Sequence, residues 1–143
     1  MSNLSLFLKG NKKTKEVVPY EPTKSLCDEN GDALEFKWKA ISVKQDEAIR
    51  DECTKEVQVT GKPNMFRPKF NTNKYIAKMI AASCVEPDLY NAELQNSYGV
   101  MTPEDLIREM VDDPGEYQDL TAFIQQLNGF NKSKADLVEE AKN

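Results

Sequence analysis

Residues 71–84, NTNKYIAKMIAASC, constrain the fold more than any other part of this sequence. Apolar and small side chains recur there at helical spacing and form one stripe: Tyr75, Ile76, Met79, Ile80, Ser83 and Cys84. Asn71 offers a side-chain oxygen to the free N–H groups of a first turn, and Pro87 stops the helix from continuing. Such a helix is not stable alone in water, so other parts of the chain must cover its stripe.

Three further helix-start signals follow. Asn91 predicts a short helix that ends at Gly99, a residue suited to left-handed backbone angles. Residues 102–105 (TPED) combine a cap, a proline at the first helical position and two acids at the positive end of the helix dipole. Residues 113–116 (DPGE) predict a capping box, and Gly129 ends that helix. Its apolar stripe consists of Tyr117, Leu120, Ile124 and Leu127.

In the N-terminal half, apolar and polar residues alternate with the two-residue period of β-strands. Asn30-Gly31 is a hairpin signal, and a strand with one wet face follows it. Its apolar face consists of Leu34, Phe36, Trp38 and Ala40, and its polar face of Glu35, Lys37 and Lys39. We therefore predict that Trp38 is a core residue.

A helix and a second pair of strands come next. Ser42 and Gln45 predict a capping box for a helix over residues 43–53, with Ala48, Ile49 and Cys53 facing the core. Residues 56–60 read as a strand with Val57 and Val59 inward. Residues 65–70 return as an edge strand that aligns Phe66 with Phe70 and contains Pro68. The prediction is an α+β fold with flexible termini: a small antiparallel β-sheet with one inserted helix in the N-terminal half, packed against a helical C-terminal half.

The two ends read differently from the middle. Residues 1–22 predict a flexible N-terminal arm, since a basic, turn-prone run and two prolines, Pro19 and Pro22, follow a small apolar segment. Residues 23–130 form the single predicted domain, which 143 residues can support with one core. Residues 131–143 predict a flexible charged tail without an apolar stripe.

Composition excludes several kinds of function. The net charge is −5, which argues against nucleic acid as the main partner because phosphate binding needs a basic surface. There is no histidine, the commonest metal ligand and general base, and the three cysteines form no Cys-x-x-Cys pair. Cys27, Cys53 and Cys84 are better explained as small buried or half-buried groups. We expect no catalytic site, no cofactor, no metal, no small-molecule substrate and no membrane span.

Several ordered blocks of the chain resemble the XkdN-like family of phage tail assembly chaperones, found in tailed phages and prophage-like elements of Gram-positive bacteria. The blocks are DENGDALEFKWKAIS (28–42), ECTKEVQV (52–59), FNTNKYIAK (70–78), PDLYNAELQNSYGVM (87–101), PGEYQDL (114–120) and LNGF (127–130). One departure is Thr102-Pro103, where the family pattern has a Gly-Ala type pair, and it keeps a helix start. None of the blocks is a catalytic motif.

The resemblance implies a non-enzymatic protein that binds the tail tape-measure protein, keeps it soluble and assists assembly of the tail tube, with the tail tube protein as a second partner. It implies action in the cytoplasm of the bacterial host and absence from the mature particle. Two alternatives stay open: a structural tail component or adaptor present in the particle, and, more remotely, a small enzyme that works without histidine.

Two apolar segments are candidate partner-binding surfaces. The first, residues 90–101, gathers apolar side chains around a short helix and a glycine turn: Tyr90, Leu94, Tyr98, Val100 and Met101. The alternative is that these side chains close the junction between helices. The second candidate consists of Leu4, Leu6, Phe7 and Leu8, which read either as a docking segment or as part of a flexible terminus.

Overall fold

A computed structural model of the protein describes residues 3–130 and has the predicted α+β fold. The strands are β1 (Val17–Tyr20), β2 (Phe36–Lys39), β3 (Thr54–Val59), β4 (Lys62–Phe70) and β5 (Cys84–Glu86). The α-helices are α1 (Val43–Glu52), α2 (Thr72–Ser83), α3 (Ala92–Ser97), α4 (Pro103–Met110) and α5 (Pro114–Leu127). Two short 3-10 helices, Asn3–Phe7 and Lys9–Asn11, precede β1. The tail predicted for residues 131–143 lies outside the described residues.

The strands form two separate antiparallel sheets, which corrects the prediction of a single N-terminal sheet. One sheet has the order β1-β2-β5, and the other is the β3–β4 hairpin. The stripe predicted for the first helix ended at Cys84, but α2 stops at Ser83 and Cys84 begins β5 in extended backbone, φ −81° and ψ 117°. The strand then ends at Glu86, next to Pro87, where helical angles are disfavoured.

The prediction of a flexible arm over residues 1–22 is wrong for its last part. Residues 17–20 form β1, which pairs with β2 so that Val18 lies opposite Trp38. Pro19 is tolerated because β1 is an edge strand, where a missing N–H costs no interior hydrogen bond. The flexibility of residues 3–16 stays a prediction.

Glu116 does not close the predicted capping box. Asp113 caps α5 by accepting hydrogen bonds from the N–H groups of Gly115 and Glu116. The Glu116 carboxylate instead accepts hydrogen bonds from the Thr23 hydroxyl at 2.7 Å and the Lys24 N–H at 2.8 Å. This contact fastens the segment after β1 to α5.

Trp38 lies at the centre of the core, as predicted, with no exposed surface. Its indole N–H donates to the Tyr20 carbonyl oxygen at 3.2 Å. Its ring and that of Phe123 form a T-shaped contact with 6.3 Å between centroids. The Phe123 ring in turn stacks on Tyr20 with 4.2 Å between centroids. The aromatic residues of β1, β2 and α5 therefore form one packed unit.

One polar network ties three elements together at the end of this core. The Asn128 side chain, just after α5, accepts a hydrogen bond from the Ile41 N–H at 2.8 Å. Its amide nitrogen donates to the hydroxyl of buried Ser83, at the end of α2, at 3.2 Å. The buried backbone after β2 is thereby satisfied by a side chain from the far end of the chain.

The predicted helix starts are present. Ser42 and Gln45 form a reciprocal capping box on α1. Asn71, Asn91 and Thr102 each cap the helix that follows them. Of the three residues predicted to face the core from this part of the chain, Ile49 in α1 and Cys53 just after it are buried, but Ala48 is exposed. The rest of the protein covers only one narrow side of α1.

Candidate partner-binding surfaces

The chemistry of the described residues offers no obvious reaction centre. Among residues 3–130, no cluster of three or more Cys, Asp and Glu side chains could hold a metal ion, and no helix is long and apolar enough to cross a membrane. Burial raises the pKa of Cys84 to about 12, so this thiol stays protonated near neutral pH. Cys27 is exposed, contrary to the prediction that all three cysteines are at least half-buried.

Residues 90–101 form a rigid connection between β5 and α4. The Asn91 side chain accepts from the Leu94 N–H at 2.9 Å and so starts α3. Gln95 donates from its side chain to the Leu89 carbonyl at 2.8 Å, and its own carbonyl accepts from the Val100 N–H at 3.1 Å. Gly99 makes the turn with a φ of +68°, a value that glycine adopts without strain. The segment is thus held in one shape.

The five side chains predicted to bind a partner here divide into two groups. Leu94, Tyr98 and Val100 are half-buried and pack against the core, so they help to close the junction between the helices. Tyr90 and Met101 keep 74% and 90% of their surface exposed. Two apolar side chains of the predicted surface are therefore accessible, while three support it from below.

An open apolar groove of about 420 Å³ lies beside α3. Leu94 and Tyr98 form one side of the groove, and Leu26 and Leu34 line it from the turn before β2. Its residues are Leu26, Leu34, Glu35, Phe36, Lys37, Glu86, Pro87, Leu94, Tyr98 and Met110. The structure thus brings two of the predicted residues into a concave site that the prediction did not include.

Leu26 and Leu34, on the other side of the groove, lie at equal distances from Asn30 in the sequence, and the Leu34 N–H donates to the Leu26 carbonyl at 2.8 Å. A two-residue turn at Asn30-Gly31 would place Leu26 opposite Glu35, so the hairpin signal alone does not bring the two leucines together. The observed turn is longer and pairs Cys27 with Ala33. Phe36 and Met110 are buried members of the core that also reach the groove, which no local pattern could have indicated.

Charged side chains surround this apolar interior. The Lys37 ammonium lies 3.4 Å from the Glu86 carboxylate in an exposed ion pair, and Glu35 lies beside them. An apolar centre with a charged border is the usual arrangement of a reversible protein-binding surface. The groove can accept a few apolar side chains of a partner while the exposed charges at its border stay in contact with water.

The second predicted surface also lies at the outside of the molecule. The 3-10 helix Asn3–Phe7 and the residue after it expose four large apolar side chains: Leu4 66%, Leu6 72%, Phe7 82% and Leu8 54%. They are not part of the core cluster. None of these four residues is among those that line the groove beside α3.

Comparison with known proteins gives similar relatives. The chain is 25% identical over 141 residues to the Phage-like element PBSX protein XkdN of Bacillus subtilis, covering 99% of this chain and 94% of that protein. It is 26% identical to the YqbN protein of the same organism, covering 99% and 93% respectively. The crystal structure of the protein YqbN superposes with a TM-score of 0.74 over 92% of this chain and 99% of that one, at 21% identity, and so shares the fold.

A comparison with models of protein families identifies the family of the chain. The model of the phage XkdN-like tail assembly chaperone proteins matches residues 4–142, nearly the whole chain. The match includes both surfaces described above and all the elements of the fold. The chain therefore belongs to the XkdN-like family of phage tail assembly chaperone proteins.

Proposed function

We propose that this protein binds the tape-measure protein of its own phage or prophage, keeps it soluble and assists assembly of the tail tube. The observation that carries the proposal is the apolar groove beside α3, in a member of a tail assembly chaperone family. A chaperone of this kind needs an accessible apolar surface in a body that itself stays dispersed. The net charge of −5 supports such dispersal.

The physical properties expected of a tail ruler explain why it would need help. A long helical protein displays apolar seams that pack only when the tail is assembled, and exposed seams associate prematurely. The groove is large enough for the apolar side chains of one helix face, in the helix-in-groove mode of recognition. Its open shape and charged border favour release once the tube provides a better cover.

We also propose that the protein acts without catalysis in the host cytoplasm and leaves before the tail is complete. Quantitative mass spectrometry of purified particles tests this part of the proposal. The expected result is absence of the protein from tails that contain tape-measure and tube proteins in normal amounts. Its presence in stoichiometric amounts would instead identify a structural component of the tail.

Co-expression tests the main proposal. The cognate tape-measure protein is produced in bacteria with and without this chain, and its soluble fraction is measured after centrifugation. We expect the chain to raise the soluble fraction and to co-purify with the tape-measure protein. An unchanged soluble fraction without co-purification would contradict the proposal.

A matched pair of variants then tests the groove. Leu34→Asp introduces a charge into the apolar lining of the groove, and we expect the fold to be preserved because this side chain is 39% exposed. Val43→Asp makes the same change at an apolar side chain that is 74% exposed on α1, outside the groove. We expect Leu34→Asp to abolish co-purification and Val43→Asp to leave it unchanged.

The N-terminal segment is tested in the same assay. Deletion of residues 1–10, or the double substitution Leu6→Asp and Phe7→Asp, removes its exposed apolar surface. If these changes abolish co-purification and Leu34→Asp does not, the segment is the binding surface and the groove is not. The double substitution guards against an effect of chain length.

A further inference from the structure

The β3–β4 hairpin gathers basic side chains on one face. Residues that lie opposite each other in an antiparallel pair share a face, and the register pairs Lys55 with Lys69 and Val57 with Arg67. Because Lys55 and Val57 alternate along β3, these four residues lie on the same side. Lys62 pairs with Val59 beyond a register shift between Gln58 and Val59, at the turn end of the hairpin. We call the side chains of Lys55, Arg67 and Lys69, together with Lys62, the basic face.

The opposite face of the hairpin differs in character. It holds Phe66, opposite Gln58, and Phe70, opposite Thr54, together with Glu56, the one acid of the hairpin. Phe70 contacts the ring of Tyr75 in α2 at 5.3 Å between centroids. The two faces therefore differ in charge, and Lys55 and Lys69 of the basic face line a depression beside Thr72 and Asn73 at the start of α2.

The basic face has no counter-charge of its own. Within residues 3–130, none of its four cations forms an ion pair, although each is exposed. Lys55 lies directly opposite Lys69, and like charges in that position destabilise a hairpin. A concentration of unpaired cations at such a cost is consistent with a partner that supplies the anions.

The outer edge of the hairpin is poorly suited to sheet extension. Pro63 and Pro68 remove two N–H donors from β4, and pairing two copies of β4 would bring their lysines together. A partner is therefore expected to cover the basic face and not to add a strand at the edge.

A region of opposite charge is present on the same chain. Residues 104–119 contain seven acidic side chains and one arginine, in α4, the connection after it and the first part of α5. Glu104 pairs with Lys78, Asp105 with Arg108, and Glu116 is held by Thr23 and Lys24. Glu109 and Asp112 are exposed and make no ion pair with another described residue. We call this region the acidic face.

We propose that the basic face of one copy docks on the acidic face of a second copy. The hairpin carries four basic residues and one acid, a net charge of +3, in a chain whose net charge is −5, so the remainder carries −8. The two surfaces belong to different elements, so each copy keeps one of them free after the first contact. Such head-to-tail contacts repeat along a row of copies.

Two other occupants of the basic face are less well supported. Nucleic acid would be repelled by the strongly acidic remainder of the chain, and four cations give only a small phosphate-binding footprint. An acidic segment of another protein would satisfy the charges, but the surface that matches them in sign and concentration is already present on a second copy.

Sedimentation velocity of the purified protein tests the proposal without any tail protein, so its outcome is separate from that of the proposed chaperone function. Between about 0.01 M and about 1 M salt the screening length falls from about 30 Å to about 3 Å. We expect dimers and larger species at low salt that dissociate at high salt. A monomer at low salt at concentrations up to about 1 mM would overturn the proposal.

Charge reversal identifies the two faces. Lys55→Glu with Lys69→Glu reverses the basic face, and Glu109→Lys with Asp112→Lys reverses the acidic face. Each pair is expected to weaken self-association by at least roughly tenfold. A chain that carries both pairs regains complementarity and is expected to associate again.

Control variants change the net charge equally at other exposed positions. They are Lys39→Glu with Lys44→Glu, and Glu29→Lys with Glu47→Lys. We expect both to associate like the unmodified protein. Failure of the doubly reversed chain to associate, or equal weakening by the controls, would overturn the docking of one face on the other. Self-association that persists when the basic face is reversed, with loss of binding to an acidic protein or nucleic acid instead, would overturn it as well.

Discussion

Strands β2 and β4 carry a similar alternation of aromatic and basic residues, interrupted in β4 by Pro68, yet they lie in opposite environments. In β2, Phe36 is 2% exposed and Trp38 is fully buried, whereas in β4 Phe66 is 62% and Phe70 39% exposed. The alternation alone does not explain this difference. β2 has a neighbour on each edge and packs against α5 through Trp38, whereas β4 has one neighbour and contacts α2 at its end, where Phe70 meets Tyr75.

Alternation is often taken to predict both which side chains share a face of a strand and whether that face is buried. The comparison of β2 with β4 separates these two properties. Alternation determines which side chains share a face of a strand. It does not determine whether another layer covers that face, because the cover comes from residues far away in the sequence. The following predictions test this difference, from the largest expected effect to the smallest.

Trp38→Ala should have the largest effect, because it removes the side chain that joins β1, β2 and α5. We expect a loss of about 3 to 5 kcal/mol in the free energy of unfolding, as for other large aromatic truncations in cores. Urea unfolding followed by circular dichroism measures it. A variant that unfolds like the unmodified protein but loses a partner would make Trp38 an interface residue.

Asn128→Ala should cost about 1 to 3 kcal/mol, because it leaves the buried Ile41 N–H without an acceptor. This change tests whether β2 depends on a polar group from the far end of the chain. Asn73→Ala, at an exposed position of α2, is the matched control and should be nearly neutral. Equal effects of the two substitutions would show that the Asn128 network contributes nothing.

Tyr75 belongs to the core and also contacts Phe70 at the end of β4, and its ionisation gives a pH test. Burial, with a hydrogen bond to Asp46, raises the pKa of Tyr75 from 10.0 to about 12. Because its pKa is higher in the folded protein, the stability it contributes is fully present below pH 10 and is lost as the pH rises to about 12.

The comparison with Tyr75→Phe isolates this contribution. The difference in free energy of unfolding between the two proteins should decline over that pH range by on the order of 1 kcal/mol. Denaturant unfolding at a series of alkaline pH values measures the difference. If it stays constant across the whole range, the phenol and the Asp46 carboxylate are not coupled as described.

Phe66→Ser should have the smallest effect, within about 0.5 kcal/mol, since this side chain is 62% exposed. The same unfolding assay at low protein concentration provides the value. A loss comparable to that of Trp38→Ala would mean that the hairpin face is covered in solution.

Local signals predicted the helices well because a helix start depends on a few neighbouring residues. Ser42, Asn71, Asn91, Thr102 and Asp113 each cap the expected helix. The α+β class followed from the same reasoning, since alternation and helical spacing occupy different halves of the chain. The family resemblance was confirmed by the family model that matches residues 4–142.

Pairing between distant segments was predicted poorly. β1 was assigned to the arm because Pro19 suggested an irregular segment, and only its register against β2 makes it a strand. β5 has three residues, too few for a period to be recognised. The groove needs three separate segments to converge, so only Leu94 and Tyr98 were anticipated and the residues opposite them were not.

The position of α5 at the end of the described fold has a consequence for newly made protein. Trp38 is synthesised 85 residues before Phe123, which covers it, and elongation at about 5 to 20 residues per second leaves a gap of roughly 4 to 17 seconds. During that time the β3–β4 hairpin can already form from neighbouring residues, but the aromatic face of β2 has no cover. A product interrupted before α5 would keep this face open to proteases, so quality control in the cell should remove it instead of accumulating a smaller folded domain.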